Sequence, residues 1–413
     1  MPDRRVAPPL RHTLDFTLPK PELFLEKEGL SGWLIASDLQ PVLRIEVCFR
    51  AGKITENQEA VSSFTASMLE KGTLNKSASQ IAAILDQHSA QLEISPGMDF
   101  TTISLYCLTS NLRKVLPLFM EIISAPSFDE NEFRLHCEIF LQNLQVNKEK
   151  NSYLAGQAIR GLVFGDHPYG RSTEAEDIKA LTTGHLQSFF NQWYSPFSIF
   201  VSGKIEAEDL KTLNEGLQPR IIPGNAIQMP GIHKGEKRIE RNESVQCSIR
   251  IGKPGISRTD NDYPAYLLTN HLLGGFFGSR LMKNIREEKG LTYGIYSGVQ
   301  HLQQATMQTI GADVNKENLE AAMEAIRLEL TALTDLSDEE LMTAKNHFIG
   351  SMQNDVNTIF AAADKIKTLQ LNQLSPSYYQ ELILSLDKLT IADIKKAAEI
   401  HFQPQDFSVA IAG

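Results

Sequence analysis

The sequence repeats itself, since its second half follows the order of its first half at a nearly constant spacing. Leu181 recurs as Leu389, 208 residues later. The segment FDENEF at 128–133 recurs as LSDEEL at 336–341, again 208 residues later. Matched segments in matched order indicate a duplicated structural unit. We therefore predict two homologous domains, one in each half.

The same elements open each half. Apolar and polar residues alternate over 43–49 and again over 245–251, which predicts a half-buried strand in each half. An apolar stripe of helical spacing follows at 61–69 and at 266–273. Strands and helices are grouped rather than strictly alternating along each half. This favours an α+β fold in which each domain has an antiparallel-rich sheet with helices packed on one face.

A stretch rich in proline and glycine, 217–240, separates the two halves and is typical of an interdomain linker. We predict an N-terminal domain at 1–216 and a C-terminal domain at 241–413. The length of 413 residues fits two such domains.

Charge and hydropathy exclude several classes of function. The net charge of −10 argues against a nucleic-acid partner, which would require neutralised phosphates. No apolar run is long enough for a membrane span, and the N-terminal residues do not resemble a secretory signal. The four cysteines form no C-x-x-C pair. We expect a cytoplasmic protein.

The segment AVSSFTASMLEKGT at 60–73 resembles the start of the pitrilysin, insulinase and mitochondrial processing peptidase family. In that family the helix carries H-x-x-E-H, whose histidines bind zinc and whose glutamate acts as general base. Alignment on the K-G-T turn places Ser63, Ala66 and Ser67 at these three positions. A serine hydroxyl is a poor zinc ligand, and an alanine cannot accept a proton.

The resemblance also implies a third ligand, a glutamate on a later helix. The aligned position is Gln142 or Asn143, both neutral amides, while Glu138 and Glu149 are out of register. No H-x-x-E-H or H-E-x-x-H occurs anywhere in the sequence. We therefore predict that this chain holds no metal and no other cofactor.

The segment LLGGFFGSRLMKNIREEKGLTYGIYSG at 272–298 resembles the second-half signature of the same family. The resemblance implies that Arg286 and Tyr293 reach across to the zinc site, where they bind substrate and stabilise an oxyanion. The alternative is that Arg286 pairs with Glu287 or Glu288, and that Tyr293 only covers a strand. The glycine run does not end in G-K-[ST], so it does not predict a phosphate loop.

A missing zinc motif beside a retained Arg286–Tyr293 signature resembles the two-chain members of the family, which have a half-clamshell fold. We predict a non-zinc subunit, inactive alone, that positions peptide for a homologous zinc-bearing subunit in a heterodimer. A homodimer is the alternative in isolation. The competing function is an inactive peptide-binding or structural scaffold, as in core subunits of a respiratory complex. A third reading is a self-sufficient enzyme with different chemistry.

Overall fold

Two mixed sheets form the framework of the computed structural model, which describes residues 14–219, 230–231 and 233–413. The first sheet contains β1 Glu22–Lys27, β2 Leu30–Ala36, β3 Val42–Phe49, β4 Gln91–Pro96, β5 Thr101–Leu108 and β6 Pro196–Gly203, in the order β1-β2-β6-β3-β5-β4. The second contains β7 Glu236–Ile239, β8 Gln246–Pro254, β9 Thr292–His301, β10 Thr306–Asn315 and β11 Ser408–Ala412, in the order β7-β11-β8-β10-β9. Neighbouring strands are antiparallel, except that β2 pairs with β6, and β7 with β11, in parallel.

The helices of the first half are α1 Val61–Met68, α2 Ala78–Gln87, α3 Leu112–Ser124, α4 Glu130–Lys148, α5 Asn151–Phe164, α6 Ala175–Ala180, α7 Thr183–Trp193 and α8 Ala207–Gly216. Those of the second half are α9 Tyr263–Gly274, α10 Leu319–Ala332, α11 Asp338–Asn354, α12 Ile359–Leu371, α13 Tyr378–Lys388 and α14 Ile391–His401, with a π-helix at Met282–Glu288. None of these described helices is long and apolar enough to cross a membrane. The predicted α+β fold with antiparallel-rich sheets is confirmed.

The predicted strands coincide with β3 and β8, and their alternation explains the two main cores. Ile45 and Val47 of β3 pack with Phe64 of α1 and with side chains of α3 and α7 on one face of the first sheet. Ile249 of β8 packs in the same way with Leu268 of α9 and with other helices of the second half. Each sheet thereby buries one apolar face against the apolar stripes of its own helices.

The opposite face of each sheet receives a helix from the other half. Ile159 of α5 packs against the second sheet, where Gly252 of β8 leaves room because a Cβ there would lie 2.9 Å from the Ile159 side chain. Ala363 and Ile366 of α12 pack on the first sheet, against Phe200 of β6. The two helices start at residues 151 and 359, so the exchange follows the 208-residue repeat. The prediction of helices on one face therefore holds within each half, and the exchanged helix covers the second face.

A cluster of four charges holds α12 on the first sheet. Arg44 lies 2.8 Å from Glu46 and 2.9 Å from Asp364, and Lys367 lies 2.6 Å from Glu46. The Arg44 and Glu46 side chains are only 5% and 3% exposed. Two cations face two carboxylates, so the buried charges are compensated. The alternation of β3 predicted a solvent-facing side for Arg44 and Glu46; this was wrong because α12 covers that side.

The predicted linker at 217–240 lies partly outside the described residues, and its last part forms β7. The domain boundaries at 216 and 241 therefore stay a prediction. Residues near the N-terminus contribute to the core of the second half, where the Phe16 ring lies 5.5 Å from that of Tyr379. The N-terminal segment of the first half thus contacts the second half.

We predict that Glu46→Gln destabilises the whole protein. The change leaves the buried Arg44 and the partly exposed Lys367 with one carboxylate, that of Asp364. Removing one partner of a buried ion pair, here Arg44–Glu46, costs about 3–5 kcal/mol of unfolding free energy. Urea unfolding measures this loss. The control is Glu324→Gln, which breaks the exposed pair with Arg327 and should leave the midpoint unchanged. Equal losses in the two variants would contradict a special role for the buried cluster.

Candidate functional site

The helix α1 carries the three positions aligned with the zinc motif, and a buried carboxylate fixes its first turn. Glu56 Oε1 accepts hydrogen bonds from the Ser62 amide at 3.0 Å and from the Ser62 hydroxyl at 2.6 Å. Ala60, the residue directly before the start of α1, has a left-handed backbone φ of 67°. Burial raises the pKa of Glu56, while the Ser62 donors oppose that shift. The beginning of α1 is therefore tied to the loop before it.

The three aligned positions offer no ligand for zinc. Ser63 donates its hydroxyl to the Ala60 carbonyl oxygen at 3.0 Å, Ala66 is fully buried, and Ser67 is half-buried. A catalytic zinc site needs three protein ligands, normally imidazole, thiolate or carboxylate groups. No group of three such residues suited to a metal occurs within the described part of the chain.

The contact between α1 and α4 distinguishes the two candidates for the third position. The Phe64 ring lies 4.7 Å from the His136 ring and 4.9 Å from the Phe140 ring, so these residues mark the face of α4 that meets α1. Asn143 follows Phe140 by three residues and continues this face, whereas Gln142 follows by two and lies on another. The helix geometry therefore favours Asn143 as the counterpart of the third ligand.

Arg286 and Tyr293 lie together, as the family resemblance implies. The Arg286 guanidinium carbon is 4.9 Å from the centroid of the Tyr293 ring and 4.9 Å from that of the Phe277 ring. Cation–π attraction holds the guanidinium against both rings. Tyr293 is 90% exposed and Phe277 60% exposed, so the cluster opens to solvent. Sequence reasoning missed Phe277; its signal was an aromatic pair inside a glycine-rich turn.

The alternative pairing of Arg286 with Glu287 or Glu288 does not occur. Among the described residues, Arg286 forms no salt bridge, and its recorded contacts are the two aromatic rings. Its guanidinium therefore keeps its hydrogen-bond donors available to an acceptor from outside.

Irregular backbone structure brings Arg286 and Tyr293 together. In the π-helix that carries Arg286, the Lys289 amide donates to the Asn284 carbonyl oxygen five residues earlier, at 3.0 Å. Gly290, with φ of 63°, follows the end of this helix. The pairing of β9 with β10 then shifts by one residue beside Tyr293, which makes a bulge. π-helical turns and bulges often re-aim side chains at functional sites.

Polar contacts behind the π-helix fix its position. Arg280 lies 3.0 Å from Glu340 and donates to the Ala332 carbonyl oxygen at 2.5 Å. Asn284 donates to Glu329, whose pKa is raised by burial. These contacts hold the base of Arg286 from α10 and α11, so the exposed cluster rests on a rigid support.

The GDHPYGR loop at 165–171 also contributes to the junction between the halves. His167 accepts a hydrogen bond from the Tyr169 amide at 3.2 Å, and so fixes a turn. Tyr169 donates its hydroxyl to Asp99, which accepts the Gln303 amide of the second half at 3.0 Å. No sequence pattern predicted this contact between Asp99 and Gln303.

Comparison with known proteins identifies the family. Residues 34–177 match the model of insulinase, peptidase family M16, and residues 180–348 match that of the peptidase M16 inactive domain. The chain belongs to peptidase family M16. The resemblance predicted from the two signatures is therefore confirmed.

Relatives of this M16 chain cover nearly its full length. It is 22% identical over 395 residues to the uncharacterized zinc protease YmxG of Bacillus subtilis, covering 92% of this chain and 96% of the relative. It is 23% identical over 390 residues to the non-peptidase homolog YmxG of Helicobacter pylori, covering 90% and 89%.

Solved structures share the fold. A peptidase M16 inactive domain from Pseudomonas fluorescens superimposes with a TM-score of 0.87 at 24% identity, covering 95% of this chain and 98% of that one. A protease from Helicobacter pylori has a TM-score of 0.83 at 18% identity, covering 96% and 100%. At these identities the likeness shows the fold alone.

We predict that the purified chain contains no stoichiometric zinc. Ser63, Ala66 and Ser67 supply no ligand, and Asn143 supplies only a neutral amide. Elemental analysis after dialysis measures the metal content. One tightly held zinc per chain would contradict the assignment.

A rebuilt motif tests the alignment of α4. Ser63→His, Ala66→Glu and Ser67→His should together bind zinc weakly, because a third ligand is missing. Adding Asn143→Glu should tighten zinc binding about tenfold or more, equivalent to about 1.4 kcal/mol. The matched control adds Gln142→Glu instead of Asn143→Glu, and it should leave zinc binding as weak as in the triple variant. Competition with a chromophoric chelator measures both, and a larger gain from Gln142→Glu would reverse the assignment.

Proposed function

We propose that this M16 chain is the non-zinc subunit of a heteromeric zinc metallopeptidase. It would position a peptide for a homologous partner chain that carries H-x-x-E-H. The observation that carries the proposal is the exposed Arg286–Tyr293 pair, which a π-helix and a bulge bring together. The same chain has Ser63, Ala66 and Ser67 at the positions of the zinc motif.

The two side chains supply donors where charge develops during peptide cleavage. The phenol of Tyr293 can donate to the scissile carbonyl oxygen, and this bond strengthens as that oxygen becomes negative. Stacking on two rings leaves the N–H edge of Arg286 free to donate to a second carbonyl or to a carboxylate. Activation of the attacking water on zinc would be the contribution of the partner chain.

The peptide has a place to lie beside this pair. Among the described strands, β9 is one of the two outer strands of the second sheet, with β7 at the other edge, and it carries Tyr293 near its start. An outer strand presents unpaired N–H and C=O groups, to which an extended peptide can add as a further strand. A peptide on this edge would pass the phenol of Tyr293.

The scaffold alternative is supported by the missing ligands and by the name of the Helicobacter pylori relative, a non-peptidase homolog. A scaffold has no use for the geometry of the pair, however. A tyrosine that is 90% exposed buries almost no apolar surface and adds little to folding. The subunit function accounts for its position, and the scaffold function does not.

We predict that Tyr293→Phe lowers turnover of the reconstituted complex with its H-x-x-E-H partner about 10²–10³-fold at saturating peptide, because one oxyanion donor is lost. The control is Tyr296→Phe, which removes the hydroxyl of the next exposed tyrosine on β9 and should leave turnover unchanged. Arg286→Ala should weaken peptide binding and also lower turnover. Unchanged turnover of an intact Tyr293→Phe complex would favour the scaffold.

A further inference from the structure

An open cavity of about 520 Å³ lies in the second half, between α9, α11, α12, α13 and the end of β9. It shares two lining residues, Arg258 and His301, with a smaller cavity of about 260 Å³. His301 ends β9, whereas Tyr293 lies near its start, about 26 Å away along an extended strand. The larger cavity is therefore separate from the Arg286–Tyr293 pair.

Arg258 brings an unpaired positive charge to this cavity. Within the described residues it forms no salt bridge, and its Nε atom is buried without a hydrogen-bond partner. The acids that line the cavity are already paired, Asp355 with Lys365 at 3.4 Å and Asp364 with Arg44 at 2.9 Å. The Arg258 side chain is half-buried, and its hydrogen-bond partner Tyr379 is neutral, so the positive charge stays uncompensated. A buried donor without an acceptor, such as the Arg258 Nε, is costly, so the missing partner points to a ligand.

The His301 ring and the Tyr263 hydroxyl, which also line the cavity, are neutral at pH 7. His301 contacts the Tyr263 hydroxyl at 2.9 Å and the Thr306 hydroxyl at 3.2 Å. Burial, with a contribution from Arg258, lowers the pKa of His301 to about 4. Burial raises the pKa of Tyr263 to about 12. Neither group can supply the negative charge that Arg258 lacks.

The remaining walls indicate what kind of anion fits. Leu267, Val299 and Met352 line one side of the cavity, which is large enough for a small organic molecule. Asp355 and Asp364 also line it, so a dianionic phosphate would be repelled more than a monoanionic carboxylate. We propose that this cavity binds an organic carboxylate with an apolar side chain, with the carboxylate on the Arg258 fork. The C-terminal residue of a peptide has this chemistry.

Three small probes test the site by calorimetry on the full chain. N-acetyl-L-phenylalanine should bind, while its primary amide and phenyl phosphate should bind at least about tenfold more weakly. Arg258→Met should lower the affinity for N-acetyl-L-phenylalanine by a similar factor. The control is Arg327→Met, which removes an exposed paired arginine and should bind the acid with wild-type affinity. Equal binding of acid and amide, binding retained in Arg258→Met, or tighter binding of the phosphate would overturn the proposal. Absence of binding by the acid would do the same.

Thermal unfolding without ligand provides a second readout. If Arg258 serves a ligand, its replacement by methionine removes an unpaired charge and should leave the melting temperature equal or higher. A melting temperature several degrees lower would identify Arg258 as a structural residue and overturn the proposal. Neither experiment involves Tyr293 or a zinc-bearing partner, so their outcomes are independent of the proposed peptidase role.

Discussion

The buried pair Arg44–Glu46 joins the two halves of the molecule through Asp364 and Lys367, at the point where α12 crosses to the first sheet. Since α5 crosses in the opposite direction, neither sheet is fully covered by its own half. Each half therefore depends on the other for part of its core. The hydrogen bonds of Asp99 add a second link across the same boundary. A duplicated chain has in this way become one interdependent structure.

The two halves differ in the backbone conformation at the residues aligned with the family's functional positions. In the first half, α1 is a regular helix, and the Ser63 hydroxyl is bonded to its own backbone. In the second half, a π-helix and a bulge bring Arg286 and Tyr293 into contact and leave Tyr293 in solvent. Irregular backbone costs stability and is maintained mainly where function requires it. The contrast supports the proposal that the functional side chains of this chain lie in the second half.

Much of this structure could be predicted because its signals are local. The constant spacing of the repeat indicated two halves, and the alternation of apolar and polar residues located β3 and β8. The exchange of α5 and α12 could not be predicted, because Arg44 finds Asp364 320 residues away. A polar residue in an alternating strand is normally exposed, and only the arriving helix reverses this for Arg44. For the same reason, the sequence could not choose between Gln142 and Asn143, whose difference lies in the helix face that meets Phe64.

The central claim is that this chain completes a peptidase whose zinc lies on another chain. The most direct test is to titrate the chain into its H-x-x-E-H homologue from the same genome, and to measure peptide turnover and zinc content together. The account predicts negligible turnover by either chain alone, a plateau at a one-to-one ratio, and one zinc per pair. Full turnover by the zinc-bearing chain alone, unchanged by addition of this one, would contradict it.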